Sequence, residues 1–174
     1  KAYKCTTATN DSDYWLFRSS ADAGGLLRTL DVSGFTNGGA VRFWIYVEDM
    51  ATVHNWNGSQ VQFGSNNWDH NAFIWDSWHK QIVNNGWNEI ILPFYDNSDV
   101  DTTKMTWFFI RTNNTKYATT VYIDNVRVTA NCVPEYDEVV LATADWSTEI
   151  KNTSFCSAPS NEQAAVGAKS YRAW

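Results

Sequence analysis

Apolar and polar residues alternate along this chain in short runs, and almost nowhere do apolar positions recur with helical spacing. The runs are rich in β-branched and aromatic residues and are bounded by Gly, Asn and Asp, which is strand punctuation. The pattern predicts strands over Tyr14 to Arg18, Val41 to Glu48, Gln60 to Gly64, Ala72 to Trp75, Asn88 to Phe94, Thr106 to Thr112, Thr119 to Val128 and Glu138 to Thr143. Turns are expected at Gly24-Gly25, Asn37-Gly38-Gly39, Asn57-Gly58 and Asn84-Asn85-Gly86, where a positive φ is cheap. This many strands with such turns makes an all-β chain, a sandwich or a jelly roll.

Side chains alternate between the two faces of a strand, so each run can be resolved into faces. Phe43, Ile45 and Val47 share one face, and Arg42, Trp44 and Tyr46 the other. Phe108 and Ile110 likewise oppose Trp107, Phe109 and Arg111. Aromatics on both faces mean that both are covered or that one binds a ligand. Val121 and Ile123 keep one parity while Val126 and Val128 keep the other, so a β-bulge is expected near Asp124-Asn125.

Near the C-terminal end, Cys132-Val133-Pro134-Glu135 reads as a seam. It divides a main body, residues 1–133, from a segment, 134–174, that supplies strands to the same sandwich or opens a next repeat. Lys169-Ser170-Tyr171-Arg172 echoes Lys1-Ala2-Tyr3-Lys4, which is consistent with one period cut from a tandem array.

Composition narrows the function classes. Of 174 residues, 16% are aromatic, including ten Trp, and only 18% are charged, with a formal charge of −6. An acidic, weakly charged chain offers no electrostatic footprint for nucleic acid. Its longest apolar stretches are strand-sized, well short of the about 20 residues a membrane helix needs, so no membrane insertion is expected. The first residues lack an apolar signal core, so any secretion signal has been removed or lies upstream. Cys5, Cys132 and Cys156 form no CxxC pair, which excludes a zinc ribbon or dithiol redox motif and allows at most one disulfide. Asn/Ser/Thr-rich loops and scarce Lys look secreted.

Val41-Arg42-Phe43-Trp44-Ile45-Tyr46-Val47, Gly86-Trp87-Asn88-Glu89-Ile90-Ile91-Leu92 and Val121-Tyr122-Ile123-Asp124-Asn125-Val126-Arg127-Val128 occur in this order. Together they resemble the galactose-binding-like jelly-roll modules of bacterial polysaccharide-degrading and cell-surface proteins, many of which are carbohydrate-binding modules. The resemblance covers about residues 41 to 128 and implies a jelly-roll β-sandwich outside the cell or on a bacterial cell surface. It also implies a circular permutation, because the family's opening strands are missing before Lys1 and look present after Val139. Similar modules often hold a structural Ca2+ with the Asp of the closing strand and an acidic residue near the opening strand. Here those are Asp124 and Asp145, although Asn125 replaces the second Asp of the usual pair. Otherwise no cofactor is required.

The densest chemistry lies in His54 to Lys80, where Trp56, Trp68, Trp75 and Trp78 are interleaved with Asn66, Asn67, Asp69, His70, Asp76 and His79. Sugars present apolar C–H faces ringed by hydroxyls, so their binders combine an aromatic platform with amides, carboxylates or Arg. Trp56, Trp68 and Trp78, beside Asp69 and His70, are expected to be exposed. Trp75 and Trp87 are expected in the core, although Trp75 is kept among the candidate sugar contacts. Arg111 either clamps a sugar or packs on an aromatic ring. A concave sheet face around Trp44, Trp107 and Arg111 is the alternative location.

The His spacings match no HExxH pattern, and there is no GxSxG elbow, P-loop or dinucleotide fingerprint, so the chain is expected not to be an enzyme. Two readings compete. One is a carbohydrate-binding module that holds polysaccharide for a linked catalytic module or for the cell. The other is a structural or adhesive repeat of a large bacterial surface protein, contacting only neighbouring repeats.

Overall fold

The structure is a computed structural model that describes residues 2–7, 16–18, 25–56, 58–65, 71–112, 117–130, 138–142, 156–160 and 170–173. Twelve strands are described: β1 Tyr3–Thr7, β2 Leu16–Arg18, β3 Gly25–Leu30, β4 Ala40–Val47, β5 Gln60–Gly64, β6 Ala72–Asp76, β7 Gly86–Pro93, β8 Met105–Arg111, β9 Thr119–Thr129, β10 Glu138–Ala142, β11 Cys156–Ser160 and β12 Ser170–Ala173. Three 3-10 turns, Ser33–Phe35, Met50–Asn55 and Trp78–Gln81, lie between them. No helix among the described residues is long and apolar enough to cross a membrane.

The chain is an all-β sandwich of two antiparallel sheets. The first sheet runs β1-β9-β4-β7, with β10 also paired to β9. The second runs β2-β8-β5-β6, with β3 also paired to β8. β11 and β12 form a separate antiparallel pair beside β1. Each sheet turns one parity inward. Phe43, Ile45, Ile90 and Ile123 meet Phe17, Val61, Phe63, Phe108 and Ile110 in one buried cluster. The layers touch directly where the Tyr3 and Phe17 rings stand edge to face, 4.6 Å between centroids. Fully burying a side chain of this kind contributes about 1.5–3 kcal/mol, and the interleaved aromatics and branched aliphatics supply this many times over.

The expected strands are present within two residues at each described end; Tyr14, Trp15 and Thr143 lie outside the described residues. β1 and β3 carry weaker alternation and lie outside the expected strands, and β11 and β12 fall in the segment 134–174 that was expected to supply strands without their bounds being placed. The parities of β4 and β8 are as predicted, and so is the bulge in β9. Trp44 pairs with Asp124 but Arg42 with Arg127, so β9 carries an extra residue there. Asn125 takes the left-handed conformation at φ 48°, and the Asp124 Oδ1 accepts its N–H at 2.8 Å.

β9 also organises the far edge of its sheet. β1 pairs with Thr119 to Ile123, and β10 with Val126 to Thr129, so the two short strands lie end to end along one side of β9. Both run antiparallel to β9, and β10 comes first along their shared direction. Cys5 is buried on the inner side of β1, whereas Cys132 lies outside the described residues.

Candidate functional site

The outward face of the first sheet is a grid fixed by register. Tyr122, Tyr46 and Trp87 stand side by side across β9, β4 and β7; Asp124, Trp44 and Glu89 form the next row; Arg127, Arg42 and Ile91 form the third. Trp44, Tyr46 and Trp87 are half-buried although they point away from the core. The Tyr46 ring stands edge to face with Trp87 at 5.5 Å and with Tyr122 at 5.7 Å, the planes crossing at 69° and 80°. Such edge-to-face pairs add about 0.5–1.5 kcal/mol each and lock the ring orientations. The Lys4 Nζ lies 5.5 Å from the Tyr122 ring centroid and covers the end of the row.

Local chemistry puts Trp87 on this face. Gly86 enters β7 at φ 97°, a conformation that disfavours any residue with a Cβ. Behind it the Asn88 amide clamps the turn. Its Oδ1 accepts the Val83 N–H at 3.0 Å, and its Nδ2 donates to Asn84 O at 2.9 Å and Gly86 O at 3.1 Å. On the open edge of β7, Gln81 substitutes for a missing strand. Its Nε2 donates to Ile91 O at 2.8 Å, and its Oε1 accepts the Ile91 N–H at 2.9 Å.

Beside the rings lies an ion cluster. Arg42, 2% exposed, forks onto Glu89, with Nε 3.0 Å from Oε1 and Nη2 2.8 Å from Oε2. The Arg127 Nη2 also binds Glu89 Oε1, and its Nη1 donates to Asn125 O at 3.1 Å. One carboxylate thus holds two guanidiniums flat against the sheet. Removing it would strip both buried guanidiniums of the carboxylate they share.

The expected tryptophan platform is corrected. Trp56 and Trp78, predicted to be exposed, are both 2% exposed core residues. The Trp78 ring packs 5.6 Å from Phe43 and 5.6 Å from Trp56. The reason is local. Met50, Val53 and Trp56 fall at a spacing of three, which a 3-10 turn stacks on one side, and the short turn Trp78–Gln81 opens with its indole pointing inward. That period of three was the signal available in the sequence. Trp75 shares the core parity as predicted, but it is only half-buried at the rim, and its Nε1 donates to Pro93 O at 3.0 Å. Trp87, predicted for the core, stands on the outward face instead.

Trp44 does not share a face with Trp107 and Arg111. β4 and β8 belong to different sheets, and their outward sides point in opposite directions. On the second sheet Trp107 and Phe109 form a small cluster of their own, with centroids 6.1 Å apart. Arg111, half-buried, lies over Phe109 at 6.0 Å, in the ring-packed arrangement. Trp68, Asp69, His70 and Asp145 lie outside the described residues. Asp124 is fully buried, and among the described residues no group of three or more His, Cys, Asp or Glu comes together.

The chain is similar in fold to a carbohydrate-binding module. The crystal structure of a family 30 carbohydrate-binding module matches with a TM-score of 0.50 and 13% identity, covering 83% of this chain and 73% of the other. No protein-family model matches the sequence, and neither does a curated protein. At 13% identity the likeness is one of fold.

Proposed function

We propose that this chain is a non-catalytic carbohydrate-binding module that holds a polysaccharide on the outward face of the first sheet. The supporting observation is the half-buried row of Tyr46 and Trp87, with Trp44 beside it, on a side of the sheet that the core does not need. Sugar C–H faces stack on the rings, and hydroxyls reach the partly exposed carboxylate of Glu89, which the buried Arg42 and Arg127 hold in place. Because successive rings are steeply crossed, the face is corrugated; it suits a single chain better than a flat crystalline surface. The fold shared with a family 30 module supports the same reading.

In this reading the module is galactose-binding-like and serves a bacterial protein outside the cell or on its surface, raising local substrate concentration for a linked catalytic module. The test is affinity electrophoresis and pull-down against β-glucan, xylan, mannan, pectin and starch. Retention on at least one glycan, weakened about tenfold in Trp44→Ala and Trp87→Ala, is the expected result. Failure to bind any glycan across the panel would favour a purely structural repeat.

A further inference from the structure

We propose a second carbohydrate subsite, separate from the aromatic face, in the cavity where the two sheets open beyond the start of β4 and the end of β7. It rests on the carbohydrate-binding reading above and adds a location and a ligand size. The cavity encloses about 390 Å³ between the β3–β4 connection, β6 and the β7–β8 connection. That lies near the lower end of the range of about 300–1,000 Å³ for small-molecule sites, room for a short oligosaccharide or the terminal unit of a chain.

Its walls combine the two elements that sugar recognition needs. Phe73 forms an apolar floor, and Tyr95, 42% exposed, stands against it edge to face at 5.3 Å. The Tyr95 hydroxyl accepts the Ile74 N–H and donates to Ile74 O at 3.4 Å, so the wall is fixed before any ligand arrives. Asn97 is also fixed, its Nδ2 donating to Ala72 O at 3.1 Å and its Oδ1 accepting the Asp99 N–H at 3.0 Å. Asn37 and Asp96 line the mouth and make no hydrogen bond among the described residues. An amide and a carboxylate therefore remain for ligand hydroxyls.

The cavity is also braced as a unit. Val32 N–H donates to Thr102 O at 2.8 Å and Phe94 N–H to Gly39 O at 2.9 Å, tying the two connections to each other. Gly39 permits this closure, since a Cβ there would lie 2.1 Å from Phe35 O. Among the described residues that line the cavity there is no Lys, Arg or His, and the ionisable carboxyl is that of Asp96. A neutral sugar is thus favoured over a uronate or a phosphorylated ligand. β4 separates this end from Tyr46 by about 20 Å at 3.3 Å per residue, so one sugar unit cannot occupy both places.

The test is a titration of the 15N-labelled full chain with cellobiose, xylobiose, mannobiose and maltose, followed by a matching hexasaccharide. At least one disaccharide should shift the side-chain amides of Asn37 and Asn97 and the Thr102 backbone amide. Asp96→Ala should weaken that response about tenfold, and Trp87→Ala should leave it unchanged. If the hexasaccharide moves only resonances around Trp44, Tyr46 and Trp87, the cavity is not a subsite and the aromatic face stands. Shifts at Asn37 and Asn97 alone would keep the cavity and remove the face. If no sugar shifts Asn37 or Asn97 at millimolar concentration, the proposal fails.

Discussion

Trp56 and Trp78 are set against Trp44 and Trp87 as one side-chain type in two settings. The first pair is sealed in the core, touching each other, with Trp78 also against Phe43; the second stands on the outward face, half-buried, with Trp87 edge to face against Tyr46. The first pair should therefore govern whether the chain folds. The second should govern what it holds once folded, because burying it contributes little that the core does not already supply.

Four experiments sharpen or break that contrast. Trp78→Ala should have the largest effect, a loss of about 3–5 kcal/mol, which lowers the melting temperature by about 10 °C or more while the folded fraction still binds glycan. An unchanged melting temperature would return Trp78 to the surface. Glu89→Gln comes next, because it leaves Arg42 and Arg127 buried without their shared carboxylate; about 1.5–3 kcal/mol should be lost in a urea titration. Trp87→Ala should cost about 1 kcal/mol in the same titration yet weaken glycan retention about tenfold, reversing the signature of Trp78→Ala.

The smallest effect concerns pH. Hydrogen bonds from the Ser33 side chain and backbone hold the Asp31 carboxyl below its usual range, and those from Thr103 do the same for Asp101. A depressed carboxyl stabilises the fold above its unfolded pKa, and that contribution is lost as pH falls through the folded value. The melting-temperature gap between wild type and an Asp31→Ala, Asp101→Ala double variant should be small at pH 7. It should close below about pH 4, where wild type protonates as well. A gap that widens in acid would reverse the assignment.

Much of the fold was legible because β4, β8 and β9 alternate strictly, and even the bulge announced itself as a change of parity. The site was less legible, for two physical reasons. A tryptophan flanked by Ser, Asn and His looks exposed unless the local turn is considered: Trp56 follows the period of a 3-10 turn inward, and Trp78 opens a short 3-10 turn with its ring in the core. Trp87 looks like core because it opens an apolar run, yet Gly86 and the Asn88 clamp set the parity of β7 so that Asn88, not Trp87, faces inward. Which outward faces belong together depends on strand order, and β4 and β8 turn out to lie in different sheets. Alternation along a strand says nothing about strand order.

The bulge in β9 carries one more consequence. At Asp124 and Asn125 the ladder to β4 slips, β1 has just ended and β10 has not begun, so pairing breaks on both sides of the same strand at once. Cooperative opening propagates along continuous ladders and stops where they are interrupted. β9 is therefore expected to open as two units, joined through β4, and amide hydrogen exchange should report them separately. The amides from Thr119 to Ile123 should exchange with those of β1, and those from Val126 to Thr129 with those of β10.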